Sequence, residues 1–437
     1  MVAKRPHIVL FQQDLRLDDN PALWHAASTE APLILLYVLD ETIGSTSKWW
    51  LYHSLKSLER SCGFPLYLRR GKREHIVEEL VKKTGAEALF MSKGEPLSVS
   101  IPVHTYNSAL LFELGEIKPY RIFAPFWHVY QRFEVEKPLP TPSFSGFAIK
   151  GDTLESWNLL SGQNFSKFWE PGEKGAWERV ASFIKEGLAA YQNMRDFPAA
   201  HSTSLLSPHL HFGEIGPRQI TYAIKNARKT SQEAFLRQLC WREFSYHTLY
   251  HFPNLVKQPL QEKFLHFSWN DDKKGLEAWK RGLTGYPIVD AGMRQLLKTG
   301  WMHNRVRMIV GSFLVKDLLI PWQEGERWFW ERLVDADVAS NAMNWQCVAG
   351  CGLDSTPFFH IFNPMTQGEK FDTEGLYVRE WVPELGKLPN DYIHRPWEAP
   401  PEMLEKAGVI LGKTYPYPIV DHAAARKEAL NRFHALI

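Results

Sequence analysis

Cysteine is scarce in this chain: four residues in 437, Cys62, Cys240, Cys347 and Cys351, with no C-x-x-C pair among them. That spacing excludes a zinc ribbon or a disulfide framework as the organising device, and reduced thiols are expected. No run of apolar residues is long enough for a helical membrane span. The opening MVAKRPHIVLF passes straight into a strand pattern, with no apolar h-region and cleavage site. A cytoplasmic protein without membrane contact is expected. Charge of one sign is also missing. The formal net charge is +2, so any nucleic-acid contact has to come from a local basic patch. Neither G-x-G-x-x-G nor a Walker A loop is present; the residues at the end of the first apolar run read FQQDLRLDDN. What the chain has in excess is tryptophan, seventeen in all. Most belong in an aromatic core, and a few are available to stack on a planar ligand or a base, or to pass electrons.

The first third alternates between two periods. Apolar runs at 7–11, 33–40, 66–69 and 87–91 read as buried strands, and 20–27, 48–62 and 74–84 carry helical spacing. Strands alternating with helices predict a parallel, Rossmann-like sheet with helices on both faces. Between the strand ending near Met91 and the next, 103–106, lies only SKGEPLSVSIP. A parallel crossover generally takes a dozen or more residues, usually helical, so this one is too short for a proper helix. The stretch 134–152 is rich in Pro, Ser and Gly and reads as a linker. Beyond it strand signals nearly vanish, and 235–250, 288–298, 301–319 and 325–334 read as helices. Thr284 and Pro287 mark the start of one and Gly300 its stop. The expected organisation is an α/β domain over 1–133, a linker over 134–175 and an all-α domain over 176–437.

Three groups of residues carry possible chemistry. Trp301, Asn304, Arg305 and Met308 fall at i, i+3, i+4 and i+7, and share one face of a helix. That mixture suits a cavity wall around a polar aromatic ligand; a helix boundary with an exposed Arg fits it about equally. In LVDADVASNAMNWQC, Asp335 and Asp337 precede Asn341 and Trp345, which sit one helical turn apart. The acids are solvated caps, or they pair a buried Arg or accept from a ring N–H. Thr203, Ser204 and Ser207 cluster ahead of a helix expected at 216–227. Hydroxyls and free N–H groups there suit phosphate, and equally suit plain capping. His209 and His211 lack further ligands, so no metal is expected.

In order and spacing, NFSKFWEPGE, STSLLSPHLHFGEIGPRQI, CWREFSYHTLYHFP, GLTGYPIVDAGMRQLLKTGWMHNRVRMIVGSFLVKDLLIPWQEGE and the block 345–385, with its FNPMTQGEKFD, resemble the photolyase/cryptochrome family. FQQDLRLDDNPAL resembles the family's first-strand motif, with Leu10 and Gln12 where Trp and Arg are common. The resemblance spans nearly the whole chain. It implies FAD inside the helical domain, with Tyr191, Thr203, Ser204, Leu205 and Ser207 at the phosphates and ribityl chain. Arg307 and Asp335 would form the ion pair beside the isoalloxazine, Asp337 would accept from the ring or ribose region, and Asn341 would face flavin N5. An amide at that place resembles photolyases; plant cryptochromes tend to carry Asp and insect ones Cys. Trp345, Trp322 and Trp269 fall on the family's electron-transfer chain from flavin to surface.

The activity so implied is light-driven repair of pyrimidine dimers, flipped out of the DNA stack, with the cofactor carrying the hard chemistry. Arg195, Trp241, Asn304, Arg305 and Met308 match the pattern of cyclobutane-dimer enzymes. Three positions depart from it. Gln238 stands where a Glu usually contacts the dimer, Cys347 replaces the second Trp of the usual WQW, and His360 holds a place often taken by a phosphate-binding Arg. A lost Trp platform costs roughly 1–3 kcal/mol of stacking. Asn304, where the (6-4) enzymes carry a second His, points to cyclobutane dimers. The short crossover removes a helix that lines the antenna pocket in relatives. FAD alone is therefore expected, without a standard folate or deazaflavin antenna. A monomer acting on dimer-containing DNA is expected. The alternative, favoured by the altered dimer pocket, is a cryptochrome-like blue-light receptor without repair activity. Against it stands the end of the chain at FHALI, without the long polar tail that such receptors often carry.

Overall fold

In the computed structural model, residues 4–160, 162–227, 229–354 and 359–436 are described. The residues of β2 (Leu33–Leu39), LILLYVL, are buried without exception. A strand apolar on both faces belongs inside a parallel sheet covered on both sides. It pairs with β1 (His7–Phe11) and β3 (Tyr67–Arg70), while β4 (Leu89–Ser92) and β5 (Val103–Tyr106) extend the other edge. The order is β3-β2-β1-β4-β5, and every pairing is parallel. Helices α1 (Pro21–Ser28), α2 (Ser45–Cys62) and α3 (Arg73–Thr84) make the crossovers. Asn20 caps α1 by accepting from the Leu23 N–H at 3.0 Å, with Pro21 in the first turn where its missing donor costs nothing. The crossover from β4 to β5 contains no helix; Ser100 instead ties it to Glu78 of α3 through its N–H and its hydroxyl.

By packing, the chain forms two compact units that interleave in sequence. One comprises the N-terminal segment to Lys118, Val129–Ala189 and Ser204–Glu243; the other Pro119–His128, Ala190–Thr203 and the segment from Phe244 on. In the first unit the stretch 134–152 is no slack spacer. Leu33 donates to the Ser145 carbonyl and Phe147 donates back to Leu33, both at 2.8 Å, and Asp152 donates to Leu68 at 2.8 Å. The first-strand motif is a buried clamp. Arg16, wholly inside, donates to the carbonyls of Gly213 (2.9 Å), Asp19 (2.8 Å) and Ser108 (2.8 Å). Asp19 pairs with Arg218, and Asp18 accepts from Gln219 at 2.9 Å. Gly213, at φ 67°, passes so close to the Gln13 carbonyl that a Cβ would lie 1.9 Å from its oxygen. These contacts fix the segment from Gly213 to Gln219.

The second unit's named elements are all helical. Helix Pro287–Thr299 packs on Asn304–Ser312 and Leu376–Trp381, and Trp322–Arg332 packs on Val338–Ala349. Close approach of the first pair depends on Gly292, where a Cβ would sit 2.4 Å from Val306. Among the described residues no helix is long and apolar enough to cross a membrane.

Candidate functional site

Helix Asn304–Ser312 begins three residues later than its spacing predicts. Gly300, at φ 69°, ends the preceding helix in the left-handed region, and residues 301–303 connect the two without helical structure. Trp301 therefore does not share a helical face with Asn304, Arg305 and Met308. The cap is His303, whose Nδ1 accepts from the Arg305 N–H at 3.2 Å. Burial pushes this imidazole down to about 4, so it stays neutral near pH 7. The far end also departs from the expected 301–319: residues 313–317 open into a wider turn, closed by Leu319 at φ 54°.

One turn into that helix, Arg307 Nη2 donates to both oxygens of Asp335, at 3.0 and 2.7 Å. Its Nε donates to the Met302 carbonyl at 2.8 Å, and its guanidinium lies 5.9 Å from the Trp301 ring centroid. Trp301 thus rejoins the group through Arg307. The carboxylate side chain of Asp335 is only 3% exposed, so the charge-assisted pair compensates a burial that an unpaired carboxylate does not tolerate. Asp337 caps helix Val338–Ala349 by accepting from the Ser340 N–H at 2.8 Å, and it also accepts from the Tyr246 hydroxyl at 2.5 Å.

Asn341, on the first turn of that helix, is buried. Its Nδ2 donates to the Glu326 carbonyl at 3.0 Å and to Glu326 Oε1 at 3.3 Å. The amide is therefore oriented, with its hydrogens toward helix Trp322–Arg332 and its Oδ1 free of any hydrogen bond among the described residues. Burial raises the Glu326 carboxyl from its usual range, with the Asn341 amide opposing the shift. A planar ligand edge carrying an N–H donor fits that open carbonyl oxygen, and an ionised phosphate, which can only accept, does not.

One turn further, Trp345 is buried against Phe329 (5.0 Å, 71°) and Trp279 (6.2 Å, 69°). Its ring lies on Gly325, where a Cβ would meet Cη2 at 2.1 Å. Trp322 is buried in the same core; Trp269 is half-buried at its margin, with its ring 4.4 Å from Phe267. The three tryptophans share a core without ring-on-ring contact with one another. Cys347 on the same helix is exposed, and so is His360, whose ring meets Phe362 edge-on at 4.7 Å.

Arg195 and Arg305 converge on Asp196. Arg305 Nη2 donates to Asp196 Oδ2 at 2.8 Å, and Arg195 Nε lies 3.8 Å from Oδ1. Arg305 stacks on Phe371 at 4.5 Å and Arg195 on Tyr191 at 5.7 Å. Tyr191 is buried, and burial pushes its phenol up to about 12. Asn304 is exposed and Met308 half-buried.

The hydroxyl cluster divides between the units, with Thr203 ending a segment of the second and Ser204 opening one of the first. Leu205 adopts φ 54°, unusual for a branched side chain, and Leu206 follows at φ −89°, ψ −7°. Successive residues in left- and right-handed conformations form an N–H nest suited to anions. Ser207 then starts a short helix, Ser207–His211, which the sequence reading passes over in favour of one at 216–227; the latter forms over Pro217–Asn226. Pro208 sits in the first turn of the missed helix, the place where proline is best tolerated. His209 is committed to structure: its Nδ1 is 2.5 Å from Glu214 Oε2, whose partner oxygen accepts from Trp50 Nε1 at 2.9 Å. No metal-binding cluster occurs among the described residues. Gln238 and Trp241 are half-buried on helix Gln232–His251.

Glu326, Asp196, His303 and Tyr246 are absent from the sequence-derived set. Only Asp196 carries a local signal, as a carboxylate directly after Arg195.

Comparison with known proteins gives a consistent result. The family model for DNA photolyase matches residues 7–143, and that for the FAD binding domain of DNA photolyase matches 235–435. A deoxyribodipyrimidine photo-lyase of Agrobacterium fabrum is 45% identical over 99% of this chain and 98% of its own length. Cryptochrome-1 of Arabidopsis thaliana is 37% identical over 98% of this chain and 70% of its own. The crystal structure of a bacterial class III photolyase from Agrobacterium tumefaciens superposes with a TM-score of 0.96 at 44% identity, covering 100% of this chain and 98% of that one.

Proposed function

The chain belongs to the DNA photolyase family, and from that premise we propose that it is a flavoprotein that uses light to split cyclobutane pyrimidine dimers in DNA. The observation that carries the reading is Asn341: a buried, uncharged amide, its hydrogens held by Glu326 and its Oδ1 open. Such an acceptor suits the N–H of a reduced flavin and offers no proton to discharge it. When bound, FAD supplies light absorption and the one-electron transfer to and from the dimer.

The residues divide the remaining tasks. Thr203, Ser204, Leu205 and Ser207, with Tyr191, hold the phosphates and ribityl chain; the Leu205–Leu206 nest supports this. The Arg307–Asp335 pair keeps fixed charge beside the ring, and Asp337 takes a donor from the ring or ribose region. Trp345, Trp322 and Trp269 relay electrons inward from the surface when the flavin starts oxidised. Gln238, Trp241, Asn304 and Met308 receive the flipped dimer, and Arg195 and Arg305 face the backbone phosphates. Cys347 and His360, both exposed, lie on the same recognition surface with weaker contacts than Trp and Arg. The helix-free crossover between β4 and β5 supports FAD as the sole chromophore.

The test is a repair assay on protein reduced under anaerobic conditions. Oligothymidine containing cyclobutane dimers is illuminated with blue light, and base absorbance is followed against a dark control. Light-dependent recovery is expected. No recovery, with FAD bound and photoreducible, would transfer the protein to the blue-light receptors that its cryptochrome relatives represent.

A further inference from the structure

Arg195 and Arg305 present a problem of charge. Two guanidiniums converge on one point with a single carboxylate, Asp196, between them: Oδ2 is 2.8 Å from Arg305 and Oδ1 3.8 Å from Arg195. Neither arginine is deeply buried, and the Asp196 side chain is 32% exposed, so a carboxylate is not needed there to neutralise buried charge. The other titratable groups around it change nothing. His303 is buried and neutral, and Arg307 is committed to Asp335. Each guanidinium already has a ring beneath it, Phe371 for Arg305 and Tyr191 for Arg195, and Phe197 braces Phe371 at 6.0 Å. The stacking fixes the planes and leaves the in-plane N–H forks to choose a partner. On Arg305 the Nε–H is buried and unpartnered.

We propose that Asp196 is a specificity-determining residue, an internal carboxylate that competes with DNA phosphate for Arg195 and Arg305. The inference rests on the reading that these arginines face the DNA backbone. An undamaged duplex brings phosphates with no further anchor and has to win the forks from Asp196. A dimer received by its base contacts fixes where the neighbouring phosphate sits, and that phosphate can meet the solvent-facing part of the 19%-exposed Arg305 side chain with the Asp196 bond kept. Asp196 therefore weakens binding to undamaged DNA more than binding to the lesion.

The experiment measures binding of the FAD-loaded protein, in the dark, to a duplex with and without one cyclobutane dimer, over a range of salt. In Asp196→Asn, affinity for undamaged duplex rises by up to about fivefold at low salt, the size of one partly exposed ion pair. The salt dependence steepens by up to about one ion, and the preference for the dimer falls. Asp196→Glu stays close to wild type. Asp196→Ser repeats the Asn pattern and replaces it if the Asn variant is unstable. Flavin content and melting temperature report the fold in each. Unchanged or weaker binding to undamaged duplex, with flavin content intact, overturns the proposal. A wild-type protein with no preference for the dimer would instead strike at the repair reading; the undamaged duplex then judges competition by Asp196 on its own.

Discussion

At the scale of single residues, the strongest constraint is the contact between Asn341 and Glu326. Replacing the amide by Asn341→Asp sets two carboxyl groups against each other in a buried place, where they cannot both ionise. The variant loses the donor that oriented the side chain and gains either a negative charge or a transferable proton at the place proposed for the flavin's edge. We expect its reduced flavin to reoxidise in air several-fold faster than wild type. Unchanged flavin redox behaviour in spectroelectrochemistry would remove Asn341 from the ring's edge. Asp335, Asp337, Asn341 and Trp345 were legible in the sequence because all four lie within one short, capped segment whose spacing is set by the helix itself. The Asn341–Glu326 and Arg305–Asp196 contacts were not: they join residues 15 and 109 apart, no local period encodes such a meeting, and only the adjacent Arg195 marks Asp196.

Elements were legible to the extent that their signals are local. All five strands fall where the apolar runs place them, within two residues at either end. The helix-free crossover was evident from its length alone, since too few residues lie between β4 and β5. The helix predicted over 301–319 failed at both ends for different reasons. Its start was displaced by Gly300 and the His303 cap, a pair recognisable only once the preceding helix is placed. Its end opened into a wide turn over 313–317, where all five residues are buried, so no one-sided apolar pattern marks the change. Packing between elements supplies a further test. The distal edge of the Trp345 indole comes up against Gly325 because no side chain intervenes, and Gly325→Ala would put a methyl 2.1 Å from it. Helix propensity favours alanine by about 1 kcal/mol, while overpacking opposes it by about 1–3 kcal/mol. The net expectation is a modest loss of stability together with slower photoreduction of oxidised flavin, because the indole has to shift. Thermal melting and light-induced bleaching of the flavin read the two effects separately. Normal photoreduction in a destabilised variant would exclude Trp345 from the electron path.

At the scale of the whole molecule, the interleaving of the two units was not legible. A helix's apolar face says that it will be buried, not against what, so nothing in 204–243 announces that it packs with the α/β sheet's unit. Net charge is equally silent, because the ionisable groups that matter are buried ones. In the first unit Glu243 is fully enclosed, accepts from the Leu111 N–H at 3.0 Å and lies 3.9 Å from Arg242; burial pushes its carboxyl up to about 7. The folded state therefore holds a proton that the unfolded chain releases above pH 4.5, and stability from this group declines as pH rises from there to about 7. In the second unit His303 and His247 are pushed down to about 4 by burial, the latter accepting from the Tyr120 N–H at 2.9 Å. There the unfolded chain binds the proton that the folded one refuses, so stability is lost as pH falls from 6.5 toward 4. On acidification the two histidines and the carboxyl therefore act in opposite directions. Glu243→Gln isolates the opposing group. Relative to wild type it gains stability from pH 5 to about pH 7 and levels off by pH 8, at up to about 3 kcal/mol, since the amide needs no proton to remain buried. Urea unfolding followed at several pH values measures that difference directly, and one that does not vary with pH would mean that Glu243 ionises freely in the folded protein.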